Sequence, residues 1–136
     1  MIEILWVKDV ALIEETEISF YEGLNIISGE TGAGKSILLD AIMFLLGAKA
    51  NKDFIRRGAE KATVRAIISV KDDRNVCTIN DMGIECDDQV YITRTIHANG
   101  RSSCRVSGKA VSQTTLRALA AVLINIHGQH GHQALL

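Results

Sequence analysis

The sequence predicts a single α/β domain with an antiparallel β portion, on three observations. The first is the octapeptide Gly29-Glu30-Thr31-Gly32-Ala33-Gly34-Lys35-Ser36, which fits the phosphate-loop pattern G-x-x-x-x-G-K-[ST] at every fixed position. The second is its setting, with a short apolar run before it and a helix-forming run after it. The third is a set of alternating segments that read as half-exposed strands joined by turns. By chance, two glycines at about 7% usage each, a lysine and a serine or threonine would fall into this pattern in roughly one such chain in two hundred.

The first two elements open the chain. Ile2-Glu3-Ile4-Leu5-Trp6-Val7 and the segment 11–20 are rich in β-branched residues and read as an antiparallel pair leading toward the loop. Leu24-Asn25-Ile26-Ile27-Ser28 is short and apolar, as a buried strand should be. The octapeptide then turns the chain. Glycines there allow several backbone N–H groups to converge on one anion, which residues bearing a Cβ resist. Lys35 supplies a point charge for the β- and γ-phosphates, and the Ser36 hydroxyl is suited to Mg²⁺. The run Ile37-Leu38-Leu39-Asp40-Ala41-Ile42-Met43-Phe44-Leu45-Leu46 predicts a helix ended by Gly47. Its N-terminus would face the phosphates and add its dipole to the loop's donors.

Further along, Val64, Ala66, Ile68 and Val70 alternate with less apolar neighbours and predict a half-exposed strand, closed by Asp72-Asp73-Arg74-Asn75. Residues 90–97 and 102–106 predict a hairpin. A three-residue loop Ala98-Asn99-Gly100 with Gly100 left-handed sets Ile92 opposite Val106, whereas a two-residue loop would set it opposite Ser107. The first register matches the apolar faces better. Residues 112–123 predict a helix capped by Ser112, with Val111 packing on Leu116 across its first turn. Leu123-Ile124-Asn125-Ile126-His127 then reads as another buried strand, running into the polar loop Gly128-Gln129-His130-Gly131-His132-Gln133.

That loop admits more than one chemistry. Three histidines close together suggest zinc, but no cysteine or carboxylate stands at ligand spacing around them. A plain polar loop is the bland alternative. A nucleotide-linked role fits the position, because open α/β sheets bind ligands at the C-terminal ends of their strands.

Composition bounds the rest. The chain has 136 residues, 47% of them hydrophobic, with no proline and a formal net charge of −1. One modest core is affordable, and no linker or repeat marks a second domain within residues 1–136. Near-neutral charge gives no global attraction to nucleic acid or anionic membrane, so any DNA contact must be local. Lys49, Lys52, Arg56, Arg57, Lys61 and Arg65 form the basic stretch best suited to one, though solvated surface is the ordinary reading of such a run. The longest strictly apolar run, residues 118–124, is too short to cross a bilayer, and the acidic start lacks a signal pattern, so a cytoplasmic protein is expected. Cys77, Cys86 and Cys104 are odd in number and lack C-x-x-C spacing, which predicts free thiols. A hydrolase of this type needs an acidic residue at the end of a second buried strand, and none stands out; residues 67–73 come nearest. The apolar ending Ala134-Leu135-Leu136 would make an unusual natural tail and suggests a truncated fragment.

Five blocks together resemble the N-terminus of the RecN family of bacterial DNA-repair proteins. They are the opening segment 4–20 with Ala11-Leu12-Ile13, the run 23–36 through the phosphate loop, Arg56-Arg57-Gly58-Ala59-Glu60-Lys61-Ala62, the hairpin Asn99-Gly100-Arg101-Ser102 with Ser107-Gly108-Lys109, and Ile126-His127-Gly128-Gln129-His130-Gly131-His132-Gln133. The resemblance covers essentially the whole chain. It implies a P-loop NTPase, an ABC/SMC-type ATPase head lobe whose other half lies beyond a long antiparallel coiled coil. It also implies ATP and Mg²⁺ as cofactors, Gln129 as the residue touching Mg²⁺ and the attacking water, and Arg56 or Arg57 near the nucleotide phosphates. The implied partners are the C-terminal half of the same head, a second head in an ATP-dependent dimer, and DNA, in a nucleoid-associated protein. From the residues alone, two other classes stay open: a small phosphate-loop kinase, which should carry its own acidic Mg²⁺ strand, and a non-catalytic ATP-gated interaction module.

Overall fold

The computed structural model describes residues 2–20 and 32–125, the side chains of residues 32–35 and 125 excepted. Among the described residues six strands form one sheet: β1 (Ile2–Val10), β2 (Ile13–Ser19), β3 (Lys61–Ser69), β4 (Gln89–His97), β5 (Ser102–Val106) and β6 (Lys109–Val111), in the order β2-β1-β3-β4-β5-β6. Every neighbouring pair is antiparallel. Three helices among the described residues accompany it: α1 (Gly32–Leu45), α2 (Asp73–Asp81) and α3 (Gln113–Asn125), with a 3-10 turn at Lys52–Phe54.

An antiparallel sheet needs cover on one face only, and the burial pattern shows which face is covered. Leu5, Val7, Ala62, Val64, Ala66, Ile68, Val90, Ile92, Ile96, Cys104 and Val106 are buried, and they alternate with half-exposed or exposed neighbours. Helix α1 turns Leu38, Ala41, Ile42 and Leu45 into the same core, while Ser36, Leu39, Asp40 and Met43 point outward at helical spacing. Helix α3 adds Leu116, Leu119, Ala120 and Leu123. It contacts both β5 and α2.

The opening pair forms as expected, with Leu5 opposite Ile18 and Val7 opposite Thr16. Its connection is tighter than the expected segment 11–20, because Ala11 and Leu12 make the turn and Asp9 and Ala11 take positive φ of 56° and 50°. The β4–β5 hairpin has the expected register, Ile92 opposite Val106. Gly100 at φ 90° follows a turn in which its N–H donates to His97 O at 2.9 Å. Cys77, Cys86 and Cys104 are all free thiols.

Three elements differ from the expectation. Leu123, Ile124 and Asn125 are the last residues of α3 and not the start of a strand. Their apolar run is continuous with Leu116 and Leu119 at helical spacing, so the helix simply continues along its buried face. Helix α2 occupies Asp73–Asp81, where a strand end was expected, and the Asp72 carboxylate caps it by accepting from Arg74 N at 2.9 Å. Strand β6 was not anticipated. It follows a two-residue turn in which Ser107 and Gly108 take positive φ of 49° and 85°, the handedness that matches the sheet's twist. The half-exposed character expected of β3 is observed, although it lies in the sheet interior between β1 and β4.

Candidate nucleotide site

Helix α1 places the second half of the phosphate loop. Gly32, Ala33, Gly34, Lys35 and Ser36 form its first turn and a quarter, and Ser36 is exposed there. Gly29, Glu30 and Thr31, the expected strand 24–28, and Gln129 with His127, His130 and His132 lie outside the described residues. No acidic side chain occupies the first turn of α1. The N–H groups and positive dipole end of a 14-residue helix are therefore not neutralised from within the helix, which fits a polyanionic ligand.

The other end of α1 is bonded more heavily than a helix end requires. The chain leaves α1 through Gly47 at φ 104°, with Gly47 N donating to Phe44 O at 3.1 Å and Ala48 N donating to Met43 O at 3.1 Å. This is the double bond of a Schellman motif, which a glycine adopts without Cβ strain. Three side chains then add donors. Arg94, fully buried in β4, donates through Nη1 to Phe44 O at 2.6 Å and to Ala48 O. From α3, Arg117 Nε and Gln113 Nε2 both donate to Gly47 O, at 2.9 and 3.0 Å. Two cations thus meet the negative end of the α1 dipole. Burial pulls the Arg94 pKa down, the neighbouring Cys104 pushes it up, and nearby Arg117 pulls it down again. An arginine starts high enough to stay charged throughout. Its Nε and Nη2 have no hydrogen-bond partner among the described residues.

The paired arginines sit close to the end of β1. Arg56 N donates to Asp9 O at 2.8 Å, Val10 bridges to Ile55, and the turn continues with Ala59 N donating to Arg56 O at 2.9 Å. Arg56 is half-buried and Arg57 exposed. Of the other basic residues, Lys49, Lys52 and Lys61 are exposed. The Arg65 guanidinium stacks 4.7 Å from the Trp6 ring centre, on the sheet face away from the core. Trp6 Nε1 also donates to the Glu15 carboxylate at 2.9 Å.

Open clefts lie among the described residues, one of about 560 Å³ lined by Lys49, Asn51, Lys52 and Ile96, and two more stand out by their lining. One of about 450 Å³ is lined by Glu85, Asp87 and Asp88, whose charge would repel a phosphate. The other, about 380 Å³, lies beside α1 between Asp40, Phe44, Lys49 and Phe54. Among the described residues no group of three or more His, Cys, Asp or Glu is placed to hold a metal ion, and no helix is long and apolar enough to cross a membrane.

Arg94, Gln113 and Arg117 were not singled out in the sequence. A signal for Arg94 was present: it takes the inward parity of Val90, Ile92 and Ile96, an apolar series into which an arginine enters only with a specific partner.

Residues 5–129 match the AAA domain family. The chain is 39% identical over 138 residues to DNA repair protein RecN of Bacillus subtilis (strain 168), covering 100% of this chain and 24% of that protein. RecN of Halalkalibacterium halodurans is 38% identical over 134 residues, covering 97% of this chain and 24% of the relative. The chain therefore spans about a quarter of the length of the curated relatives it matches. Among solved structures, a chain from work on ATP-driven dimerization and DNA-stimulated activation of SMC ATPases superposes with a TM-score of 0.73 at 26% identity, covering 99% of this chain and 85% of that one. The fold is that of an SMC-type ATPase head lobe, with helices on an antiparallel sheet.

Proposed function

This chain belongs to the AAA domain family, and from that premise we propose that it is the ATP-binding lobe of an SMC-like ATPase that serves DNA repair. The observation that carries the reading is the complete phosphate-loop octapeptide running into the first turn of α1, a turn free of acidic side chains. RecN relatives named as DNA repair proteins, at up to 39% identity, support the cellular role. The likeness to an SMC ATPase chain supports the head architecture.

In this reading Gly29, Glu30, Thr31, Gly32, Ala33, Gly34 and Lys35 cradle the phosphates, through backbone N–H groups and the Lys35 ammonium. Ser36 and Gln129 would hold Mg²⁺, and Gln129 would orient the attacking water. Arg56 or Arg57 adds positive charge toward the phosphates. Bound ATP–Mg²⁺ supplies the phosphoryl group and the cation that neutralises its charge. Hydrolysis calls for an acidic residue from the remaining part of the head and a signature loop from a second head. Engagement of two heads on ATP, release on hydrolysis and coupling to DNA complete the cycle, in a cytoplasmic, nucleoid-associated protein.

A phosphate-release assay tests the whole reading. The chain alone should bind ATP–Mg²⁺ and turn it over negligibly, and addition of the C-terminal part of the head should raise turnover. Rapid turnover by the chain alone, abolished by Asp72→Ala or Asp73→Ala, would replace this reading with a kinase-like one. Binding without turnover in the reassembled head would leave an ATP-gated interaction module.

A further inference from the structure

We propose that the turn around Gly47 is a positioning joint that ties the exit of the phosphate-loop helix α1 to α3, with Arg117 and Gln113 as positioning residues for nucleotide binding. The inference rests on the nucleotide reading above.

Ordinary helix capping does not account for the bonding there. The Schellman pair closes α1 through Gly47 N to Phe44 O and Ala48 N to Met43 O, and the Gly47 carbonyl lies beyond the helix. A cap needs no second helix. Yet Arg117 Nε and Gln113 Nε2, one turn apart on α3, converge on the single carbonyl of Gly47 at 2.9 and 3.0 Å. The approach is close in the backbone as well. A Cβ built on Gly47 would lie 2.6 Å from Arg117 Cγ and 3.3 Å from Arg117 Cα, so only glycine lets the two elements meet at this distance. Arg94 of β4 grips the carbonyls of Phe44 and Ala48, before and after Gly47 in the chain. The exit of α1 is thus clamped to the sheet by one arginine and to α3 by another.

One lever that leaves this joint leads to the described part of the proposed site. Helix α1 runs about 20 Å from the joint to the phosphate loop at its N-terminus. Helix α3 runs from the joint to Asn125, close in sequence to Gln129. A packed helix moves as a stiff body, so a shift at the joint is transmitted along α1 to the loop's N–H donors. Donors held in place before the ligand arrives need no ordering when it binds. Loss of the clamp therefore weakens nucleotide binding at a distance, although neither Arg117 nor Gln113 touches the phosphates.

The test is a calorimetric titration of ATP–Mg²⁺ into the chain, with Arg117→Ala, Arg117→Lys, Gln113→Ala and, as a control, Arg105→Ala. Arg105 is exposed and bonds only the Gly108 carbonyl among the contacts described, in the β5–β6 turn. Near-ultraviolet circular dichroism fixes a temperature at which each variant is folded, and amide hydrogen exchange is followed in residues 32–40 and 113–125. The joint predicts at least a tenfold weaker Kd for Arg117→Ala, about threefold for Gln113→Ala, faster exchange in both segments, and recovery of most of the affinity in Arg117→Lys, whose ammonium can still donate. Arg105→Ala should match the wild type. A folded Arg117→Ala with wild-type affinity overturns the joint. Should that variant fail to fold, Gln113→Ala decides in the same way. A wild-type chain that binds no ATP, by contrast, refutes the nucleotide reading on which the joint depends.

Discussion

Arg94 holds its guanidinium 4.3 Å from the ring centre of Phe44 while donating to the carbonyl of that same residue at 2.6 Å. One side chain thus engages both the ring and the backbone of the last turn of α1, and among the described residues it is the one buried charged group. The planar, weakly hydrated guanidinium suits both contacts better than a compact, strongly hydrated ammonium does.

Replacing Arg94 should therefore be costly in stability. In Arg94→Met two carbonyls lose a charged donor, and relief of the buried charge offsets only part of that loss. We expect a net loss of about 2–4 kcal/mol in urea unfolding, with Arg94→Lys falling between it and the wild type. A methionine variant as stable as the wild type would show that burying the charge costs as much as its bonds return.

Lys35→Ala should weaken ATP–Mg²⁺ by about 1.5–3 kcal/mol, the usual loss for a hydrogen bond to a charged group. Calorimetry on the variant checks it. Unchanged affinity would remove the phosphate loop from the site.

Gln129→Ala, in the head reassembled with its C-terminal part, should lower hydrolysis far more than nucleotide affinity, because water positioning matters mainly in the transition state. A neutral amide suits this task, since it can accept from Mg²⁺-bound water without the desolvation cost of a buried charge. The zinc alternative for His127, His130 and His132 forecasts instead one tightly held zinc per chain, lost in His130→Ala. Elemental analysis separates the two.

The thiols offer a check on the core. Burial pushes the Cys86 thiol up, with Asp87 and Asp88 adding to the effect, and pushes Cys104 up against the opposing pull of Arg94. Under native conditions a thiol reagent should label exposed Cys77 quickly and the other two only on unfolding. The folded chain keeps protons that the unfolded chain releases above the ordinary thiol value of 9.0. Stability should accordingly hold below that pH and decline as pH rises through the folded-state values. Denaturant midpoints that stay flat from pH 8 upward to about 10 would contradict the buried-thiol environment.

Local chemistry made much of this protein legible from its residues. The octapeptide at residues 29–36 demands a tight, donor-rich turn into a helix whatever surrounds it, and α1 begins within it. Period-two alternation and the Asn99-Gly100 turn carry their own register, so Ile92 opposite Val106 followed from the residues between them. Leu123-Ile124-Asn125 was different, because a short apolar run is compatible with either a buried strand or a buried helix. Packing on the core beside Leu116 and Leu119 decided for the helix. Helix α2 was hidden for the opposite reason, its polar residues having weak intrinsic helix preference, so that the Asp72 cap, buried Ile79 and the Asn80 side chain bonded to the Cys86 backbone hold it. The convergence of Arg94, Gln113 and Arg117 on residues 44–48 belongs wholly to tertiary structure. Those three are separated from the turn by 46 to 70 residues along the chain, and no local preference carries information about which distant carbonyls a folded sheet and two helices will bring within reach.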